Sequence, residues 1–176
     1  MQEVRSRNVF WTEGLGLVKF EFKFEIWALA YTTIVRSKLE YSACVWDPHH
    51  QKDINTLEMV NRRAARVVYN KTWREKDVSP TQLLSDLGWK TLAQRRKEQR
   101  LIMMFKIHNG LVAVPPTQLQ QPSVKTRGQT LKFRHLHASC DKVKHSYYHR
   151  TIPEWNQLGE QIVNAESLEI FKSKLQ

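Results

Sequence analysis

The sequence predicts a mainly α-helical fold, a small helical bundle. Apolar residues recur every three or four positions over several stretches, as on a helix that buries one face. Capping residues flank these stretches; Thr91, for example, precedes one of them and Gly110 follows it. Residues 19–26 alternate strictly between charged and apolar side chains, which is the pattern of a β-strand. The sequence also leaves room for a short β-hairpin near residues 130–145.

The individual helices are predicted from their apolar stripes and from the residues at their ends. Asp47-Pro48 ends the first helix, and Ser79-Pro80 begins the third. Ser167 caps the last one. The clearest stripe belongs to the second helix and consists of Ile54, Leu57, Val60, Ala64, Ala65, Val67 and Val68. The predicted helices span residues 28–46, 52–69, 81–87, 91–109, 150–158 and 167–175.

Composition divides the chain into four segments. Residues 1–27 have no assigned fold, and the predicted strand within them lacks a partner. Residues 28–110 form the main helical region, whereas residues 111–129, which contain three prolines and several glutamines, are predicted to be a linker. Residues 130–176 form a tail region with two short helices.

The charge balance points to an anionic partner. The 176 residues include 28 basic and 17 acidic side chains, which gives a net charge of +11. Residues 62–150 hold 19 of the basic and only five of the acidic side chains. Such a local excess attracts polyanions, and nucleic acid is the partner we favour. A basic stretch that is merely solvated is the competing interpretation.

The cysteine content and the hydropathy pattern indicate an intracellular protein, in the nucleus or the cytoplasm. Cys44 and Cys140 are too few to form a disulfide framework. We expect no signal peptide, because Glu13 and nearby glycines interrupt the N-terminal apolar residues. No stretch has the length and apolarity of a membrane span, so we expect no membrane partner.

Basic residues form three groups along the chain, and aromatic residues are interleaved with them. Guanidinium and ammonium groups bind phosphates, and exposed rings stack on unpaired bases. The groups are Arg62, Arg63, Arg66, Lys71 and Arg74; then Arg95, Arg96, Lys97 and Arg100; then Lys125, Arg127, Lys132 and Arg134. The interleaved rings are Trp73, Trp89, Phe133, Tyr147 and Tyr148. A place in the hydrophobic core is the simpler interpretation for Trp46, Trp89 and Trp155.

The sequence indicates no catalytic centre, metal or cofactor. Polymerases use adjacent carboxylates to hold two metal ions, and the aspartates of this chain are isolated from one another. Several potential metal ligands crowd one stretch: His135, His137, Cys140, His145 and His149. The spacing of His145 and His149 is that of one helical face, but no Cys-x-x-Cys accompanies it. Ordinary surface histidines are therefore the favoured interpretation.

An ordered set of short strings resembles the region that follows the polymerase core in reverse transcriptases of non-LTR retrotransposons, of the LINE or jockey-like type. No single string is decisive, but their order and spacing agree over about residues 28–175. The strings in the first half are Val35-Arg36, Leu39-Glu40-Tyr41, Val45-Trp46-Asp47-Pro48, Leu57-Glu58, Arg62 to Arg66, Leu87-Gly88-Trp89, Thr91-Leu92, Arg95-Arg96, Lys106-Ile107 and Asn109-Gly110-Leu111. Those in the second half are Arg150-Thr151-Ile152, Trp155-Asn156, Leu158, Ser167-Leu168, Phe171-Lys172 and Leu175.

The chain departs from the family pattern in two ways. Ser37, His149 and Gly159 stand where the family has prolines, which puts the local turn geometry in question. The fingers and palm, with their Asp-Asp metal-binding loop, precede this region in the family. Here residues 1–27 precede it and resemble nothing in the family, so we expect a truncated copy joined to unrelated sequence.

The resemblance implies a thumb-like helical region that helps to hold the template and primer. We therefore expect a non-catalytic fragment that binds the RNA or DNA backbone weakly and without sequence preference. Two alternatives remain open. In the first, the fragment is inert alone and packs on a reverse transcriptase core that is missing here. In the second, it completes a polymerase or nuclease supplied by another chain. A helix that binds a membrane surface is a lesser alternative.

Overall fold

The computed structural model describes residues 23–70, 79–117, 119–122 and 131–175. Within these residues the regular secondary structure is helical, so the prediction of a mainly α-helical fold is confirmed. Every helix in these ranges is too short or too polar to cross a lipid bilayer.

The helices follow one another as short and long segments. The first, α1, covers residues 23–40 and contains a π-helical turn at Tyr31–Val35, followed by an α-helical end at Arg36–Glu40. In chain order there follow α2 (Ala43–Trp46), α3 (Gln51–Val68), α4 (Pro80–Asp86), α5 (Leu92–His108), α6 (Asp141–Lys144), α7 (Tyr147–Asn156), α8 (Glu160–Val163) and α9 (Leu168–Leu175).

The helices with clear local start and stop signals form close to where the sequence predicts them. These are α3, α4, α5 and α9. The Thr91 hydroxyl accepts a hydrogen bond from the Gln94 amide at 3.2 Å and so caps α5. Gly88 and Gly110 end α4 and α5 with φ angles of +63° and +66°, a conformation that side chains with a Cβ rarely adopt. The helix predicted at 150–158 begins earlier, at Tyr147.

The prediction of one continuous helix over residues 28–46 is wrong at its C-terminal end. Tyr41 leaves the helical conformation with a ψ of 126°, and Ser42 adopts a left-handed φ of 51°. The break lets α2 pack separately against α5, where Ala43 is buried and the Cys44 thiol lies 3.5 Å from the Gln99 carbonyl oxygen. Tertiary packing therefore overrides the local helical pattern here.

The predicted lone strand at 19–26 is not formed in its described half. Residues 23–26 belong to α1, while residues 19–22 lie outside the described ranges. A strand without a partner leaves its backbone hydrogen-bonding groups unsatisfied, whereas a helix satisfies them internally. The Phe24 ring also contacts the Tyr69 ring edge-on, with centroids 5.4 Å apart, and this contact ties α1 to the end of α3.

The hairpin allowed by the sequence near 130–145 is also not formed in the described residues. Residues 131–140 contain no strand, and Asp141–Lys144 is helical. The side-chain amide of Asn156 forms the two hydrogen bonds with the Phe133 backbone that a partner strand would form in a hairpin. Its Oδ1 accepts from the Phe133 amide at 2.9 Å, and its Nδ2 donates to the Phe133 carbonyl at 2.8 Å.

The main hydrophobic core joins α5 to the C-terminal helices. Leu101, Met104 and Phe105 of α5 pack with Trp155 of α7 and Phe171 of α9. The Phe105 and Phe171 rings are stacked with centroids 4.4 Å apart. The regions 28–110 and 130–176, which the sequence separated into two segments, therefore share one core.

The described part of the predicted linker, residues 111–117 and 119–122, contains no helix or strand. Leu119 packs on the main core, and the Gln120 carbonyl accepts a hydrogen bond from the Arg134 amide at 2.7 Å. These contacts hold the described end of the linker in place. Its remaining residues lie outside the described ranges.

Candidate nucleic-acid interface

Two of the predicted phosphate-binding residues, Arg62 and Arg63, are exposed on α3. Arg66, one turn later, is half-buried and makes contacts of its own. We call Arg62 and Arg63 the arginine face. They project from the middle of an 18-residue helix whose other side packs against α4 and α5, so the helix presents them to solvent from a fixed backbone.

The buried side of α3 is more polar than the sequence predicts. Glu58 and Asn61 are buried together with Ala65 and Val68, whereas Val67 from the predicted apolar stripe is half exposed. The four buried residues repeat every three or four positions, which is a helical stripe rotated away from the predicted one. The sequence contains this helical spacing of buried positions, but two of the four positions are the polar residues Glu58 and Asn61. The stripe therefore could not be recognised from apolar residues alone.

Glu58 anchors α3 to the beginning of α5. Its Oε2 accepts a hydrogen bond from the Leu92 amide at 2.9 Å, and its Oε1 accepts from Asn61 Nδ2 at 3.0 Å. A carboxylate at a helix N-terminus satisfies an otherwise unpaired amide and interacts favourably with the helix dipole. Asn61 Oδ1 in turn accepts from the Tyr31 hydroxyl at 2.8 Å, and burial raises the pKa of Tyr31 to about 12.

The second basic group, on α5, is split by the structure. Lys97 is exposed, whereas Arg96 and Arg100 are buried, with 1% and 4% of their surfaces accessible. Arg95 lies between these extremes and forms a two-pronged ion pair with the Glu40 carboxylate of α1. The grouping in the sequence therefore does not correspond to one surface.

Arg96 and Arg100 bind carboxylates inside the protein, which corrects their predicted role in nucleic-acid binding. Arg96 Nε donates to Asp47 Oδ1 at 2.7 Å, and Arg100 Nη1 donates to Asp47 Oδ2. The other arm of Arg100 contacts both Glu154 oxygens, at 2.8 and 2.7 Å. Burial of charge requires such partners, because an ion leaves water at a cost of several kcal/mol.

Arg150 completes this cluster from α7. Its Nη2 lies 3.0 Å from Asp47 Oδ2, and its Nη1 donates to the Asp47 carbonyl oxygen at 2.7 Å. We call Asp47, Arg96, Arg100, Arg150 and Glu154 the Asp47 cluster. It joins the loop after α2 to α5 and α7, and it holds three guanidinium groups against two carboxylates. Burial lowers the pKa of Arg96 and of Arg150 from their ordinary values, and both stay protonated near neutral pH.

The rest of the predicted interface is only partly described. Arg134 is exposed, while Lys132 is half-buried and makes contacts of its own. Lys71 and Arg74 of the first group, and Lys125 and Arg127 of the third, lie outside the described residues. The structure thus leaves Arg62, Arg63, Lys97 and Arg134 as the predicted basic residues that are both described and exposed.

The interleaved aromatic residues within the described ranges pack against other parts of the protein. Trp89 stacks on Tyr31 with ring centroids 4.8 Å apart, and Phe133 is buried in the main core. The Tyr147 hydroxyl donates to the Arg100 carbonyl at 2.9 Å, and burial raises the pKa of this phenol well above its usual range. Tyr148 packs against the same core, so these rings do not form an open stacking platform.

The carboxylates of the Asp47 cluster are occupied by arginines. Asp47 contacts three guanidinium groups, and Glu154 is held by Arg100. Both oxygens of Glu58 are also engaged, one of them at the start of α5. Among the described residues, these three acids therefore serve structural contacts.

We predict that Asp47→Asn destabilises the protein by about 3–5 kcal/mol, because it strands buried arginines without a compensating charge. The free energy of unfolding, measured by urea titration with tryptophan fluorescence, provides the test. The matched control is Asp53→Asn in the exposed first turn of α3, which should cost at most about 1 kcal/mol. A similar small cost for both variants contradicts the proposed role of Asp47.

Comparison with known proteins identifies no relative of this chain. The chain matches no protein-family model, no curated protein and no solved structure. The assignment of a function therefore depends on the arrangement of its own side chains.

Proposed function

We propose that the chain is a non-catalytic, thumb-like segment of the retrotransposon reverse transcriptase type, and that it binds the backbone of RNA or DNA weakly and without sequence preference. The observation that carries this proposal is the arginine face. Arg62 and Arg63 are exposed side by side on α3, and the opposite side of α3 is fixed to the protein by Glu58 and Asn61.

A fixed helix with two consecutive exposed arginines is suited to phosphate contacts. Guanidinium is always charged near neutral pH and its planar set of donors matches phosphate oxygens. Because α3 is packed against α4 and α5, little backbone freedom has to be lost on binding. Within the described residues, the small number of exposed arginines and the interior position of the aromatic rings support weak binding without base recognition.

The residues that resemble the reverse transcriptase family also support a structural role for this region. Several of them make the contacts that hold the helices together: Glu40, Asp47, Glu58, Arg95, Arg96, Trp155, Asn156 and Phe171. A sequence pattern made of such residues specifies a fold more than a reaction. The region that resembles the family would then keep the family's helical frame.

The proposal excludes nucleotide addition by this chain alone. Polymerases hold two metal ions with adjacent carboxylates, and the buried acids described above are bound to arginines or to a helix N-terminus. We predict no extension of a labelled primer on an RNA or DNA template with Mg²⁺ or Mn²⁺. Incorporation by the pure chain, scaled with its concentration, contradicts the non-catalytic assignment.

For binding, we predict that changing Arg62 and Arg63 to alanine weakens the affinity for a short fluorescein-labelled DNA duplex at low salt. Fluorescence anisotropy at several salt concentrations provides the measurement. The slope of log K against log salt should become shallower by about 1.8, which is the contribution expected for two phosphate contacts on duplex DNA.

The matched control is the double variant Lys38→Ala and Lys172→Ala, which removes the same number of charges from exposed sites outside α3. This control should keep the salt slope of the unmodified chain within experimental error. Equal losses for the two double variants contradict a role of the arginine face, since they would reflect net charge alone.

A second function, packing on a reverse transcriptase core, is favoured by one specific observation. The first two helices expose a concentration of large apolar side chains: Ile26, Trp27, Leu29, Ile34, Val35, Tyr41, Val45 and Trp46. Where exposed apolar side chains form one continuous patch, they mark a site of protein association. On this alternative the chain needs its partner domain and has no nucleic-acid affinity alone.

The same anisotropy experiment separates the two functions. Binding at low salt that depends on Arg62 and Arg63 supports the nucleic-acid proposal. Absence of any complex at low salt, from a chain whose circular dichroism is helical, favours packing on a partner domain.

A further inference from the structure

A second cluster of chemically capable side chains lies away from the arginine face. His49 belongs to the loop between α2 and α3, Asp141 begins α6, and His145 follows α6 directly. One ring nitrogen of each histidine and one carboxylate oxygen of Asp141 all lie within 4.8 Å of one another. Residues that are 96 positions apart in the chain are thus brought together at the surface.

The cluster differs from the group of metal ligands that the sequence singled out. There, His145 and His149 were expected on one helical face. In the structure His149 lies within α7, where its ring contacts the Ser146 hydroxyl at 2.9 Å and the His137 carbonyl oxygen at 3.2 Å. The residue placed beside His145 is instead His49, whose ring stacks on it with centroids 3.9 Å apart and planes 10° from parallel.

We propose that His49, Asp141 and His145 form a binding site for a divalent transition-metal ion of the zinc type. Two imidazole nitrogens and one carboxylate oxygen are a donor set that zinc uses, with a further position left for water. Imidazole donors favour zinc over Mg²⁺ or Ca²⁺, which prefer oxygen ligands. The site is independent of the proposed function, because none of its residues belongs to the arginine face.

Metal binding requires the His49 ring to rotate out of its stack on His145, because the in-plane lone pairs of two parallel rings do not converge on one ion. Tetrahedral ligand atoms about 2.1 Å from a metal ion lie about 3.4 Å from one another. The most distant pair of ligand atoms here must therefore approach by at most about 1.4 Å. His145 Nε2 already lies 3.4 Å from Asp141 Oδ1. His49 and Asp141 are exposed, so their side chains have room to rotate.

The surroundings influence the charge of the ligands. Desolvation lowers the pKa of His49, and the nearby His145 and His50 rings act in the same sense. Asp141 acts in the opposite sense on His49, and Arg150 acts in the same sense as the neighbouring rings. The carboxylate of Asp141 supplies the negative charge that a cation needs in this mostly basic setting.

A bound metal ion would link the loop after α2 to helix α6. These two parts of the chain lie close in sequence to Asp47 and Arg150 of the Asp47 cluster. His49 lies two residues after Asp47, and His145 lies five residues before Arg150. Any ligand that binds only the folded protein stabilises it in proportion to the logarithm of its concentration above the dissociation constant. Zinc should therefore raise the melting temperature of the chain.

The test measures binding of ZnCl₂ to the metal-free chain by isothermal titration calorimetry, together with the melting temperature with and without ZnCl₂. We expect one zinc ion per chain, a higher melting temperature with zinc, and no change with MgCl₂. His49→Ala and His145→Ala should each weaken zinc binding by at least about tenfold, the lower limit for loss of even an outer partner of a metal site. Asp141→Asn should weaken it in the same direction.

The matched control is His135→Ala, which removes an exposed histidine outside the cluster and should leave zinc binding unchanged. The metal-free melting temperature of His49→Ala should stay close to that of the unmodified chain, because His49 is exposed. The proposal is overturned by the absence of stoichiometric zinc, by zinc binding that His49→Ala leaves intact, or by an equal loss in His135→Ala. These outcomes leave the nucleic-acid proposal untouched, since its assays contain no zinc.

Discussion

The buried carboxylate of Asp47 is the constraint on which the arrangement of the helices depends. It receives guanidinium groups from α5 and α7, and the loop that carries it follows the break between α1 and α2. An isolated charge of either sign in this position would be strongly unfavourable, so the helices must meet with the correct register. Arg100 extends the same network to Glu154, one turn after Arg150 on α7.

This constraint explains which parts of the fold were predictable from the sequence. Helices α4, α5 and α9 are encoded locally, because Gly88, Thr91, Gly110 and Ser167 mark their ends. Helix α3 is encoded by the helical repeat of its apolar residues. The break at Tyr41 and Ser42 has no local signal. It accompanies the packing of α2 on α5 and the insertion of Asp47, which are contacts with residues far along the chain.

The positions of the basic residues were likewise only partly predictable, because the contacts that bury some of them are distant in sequence. Arg62 and Arg96 are both members of dense basic runs, and the basic runs themselves do not distinguish a surface arginine from a buried one. The partner of Arg96 is 49 residues away, and the partner of Arg150 is 103 residues away. One local signal was available: Leu92, Arg96, Arg100 and Met104 continue a single stripe along α5, and its apolar ends are buried. A charged residue within such a stripe indicates an internal ion pair.

The structure also separates two properties that the sequence presents together. The basic excess of residues 62–150 divides into arginines that hold the fold and arginines that face solvent. Both sets overlap strings that resemble reverse transcriptases. The first set holds the helices together, and the second, which includes Arg62 and Arg63 on α3, is the proposed site of phosphate binding. The candidate metal site is a third property, and it arises only when the loop after α2 meets α6.

The most direct test of the central claim is a double-mutant cycle between Asp47→Asn and Arg96→Met, read as free energies of unfolding in urea. If the two side chains form a buried ion pair, the double variant should lose less than the sum of the single losses, by about 1–3 kcal/mol. The loss of Arg96 then removes one of the three guanidinium charges that Asp47→Asn leaves without a carboxylate partner. Losses that add within about 0.5 kcal/mol contradict the account, because independent sites behave in that way.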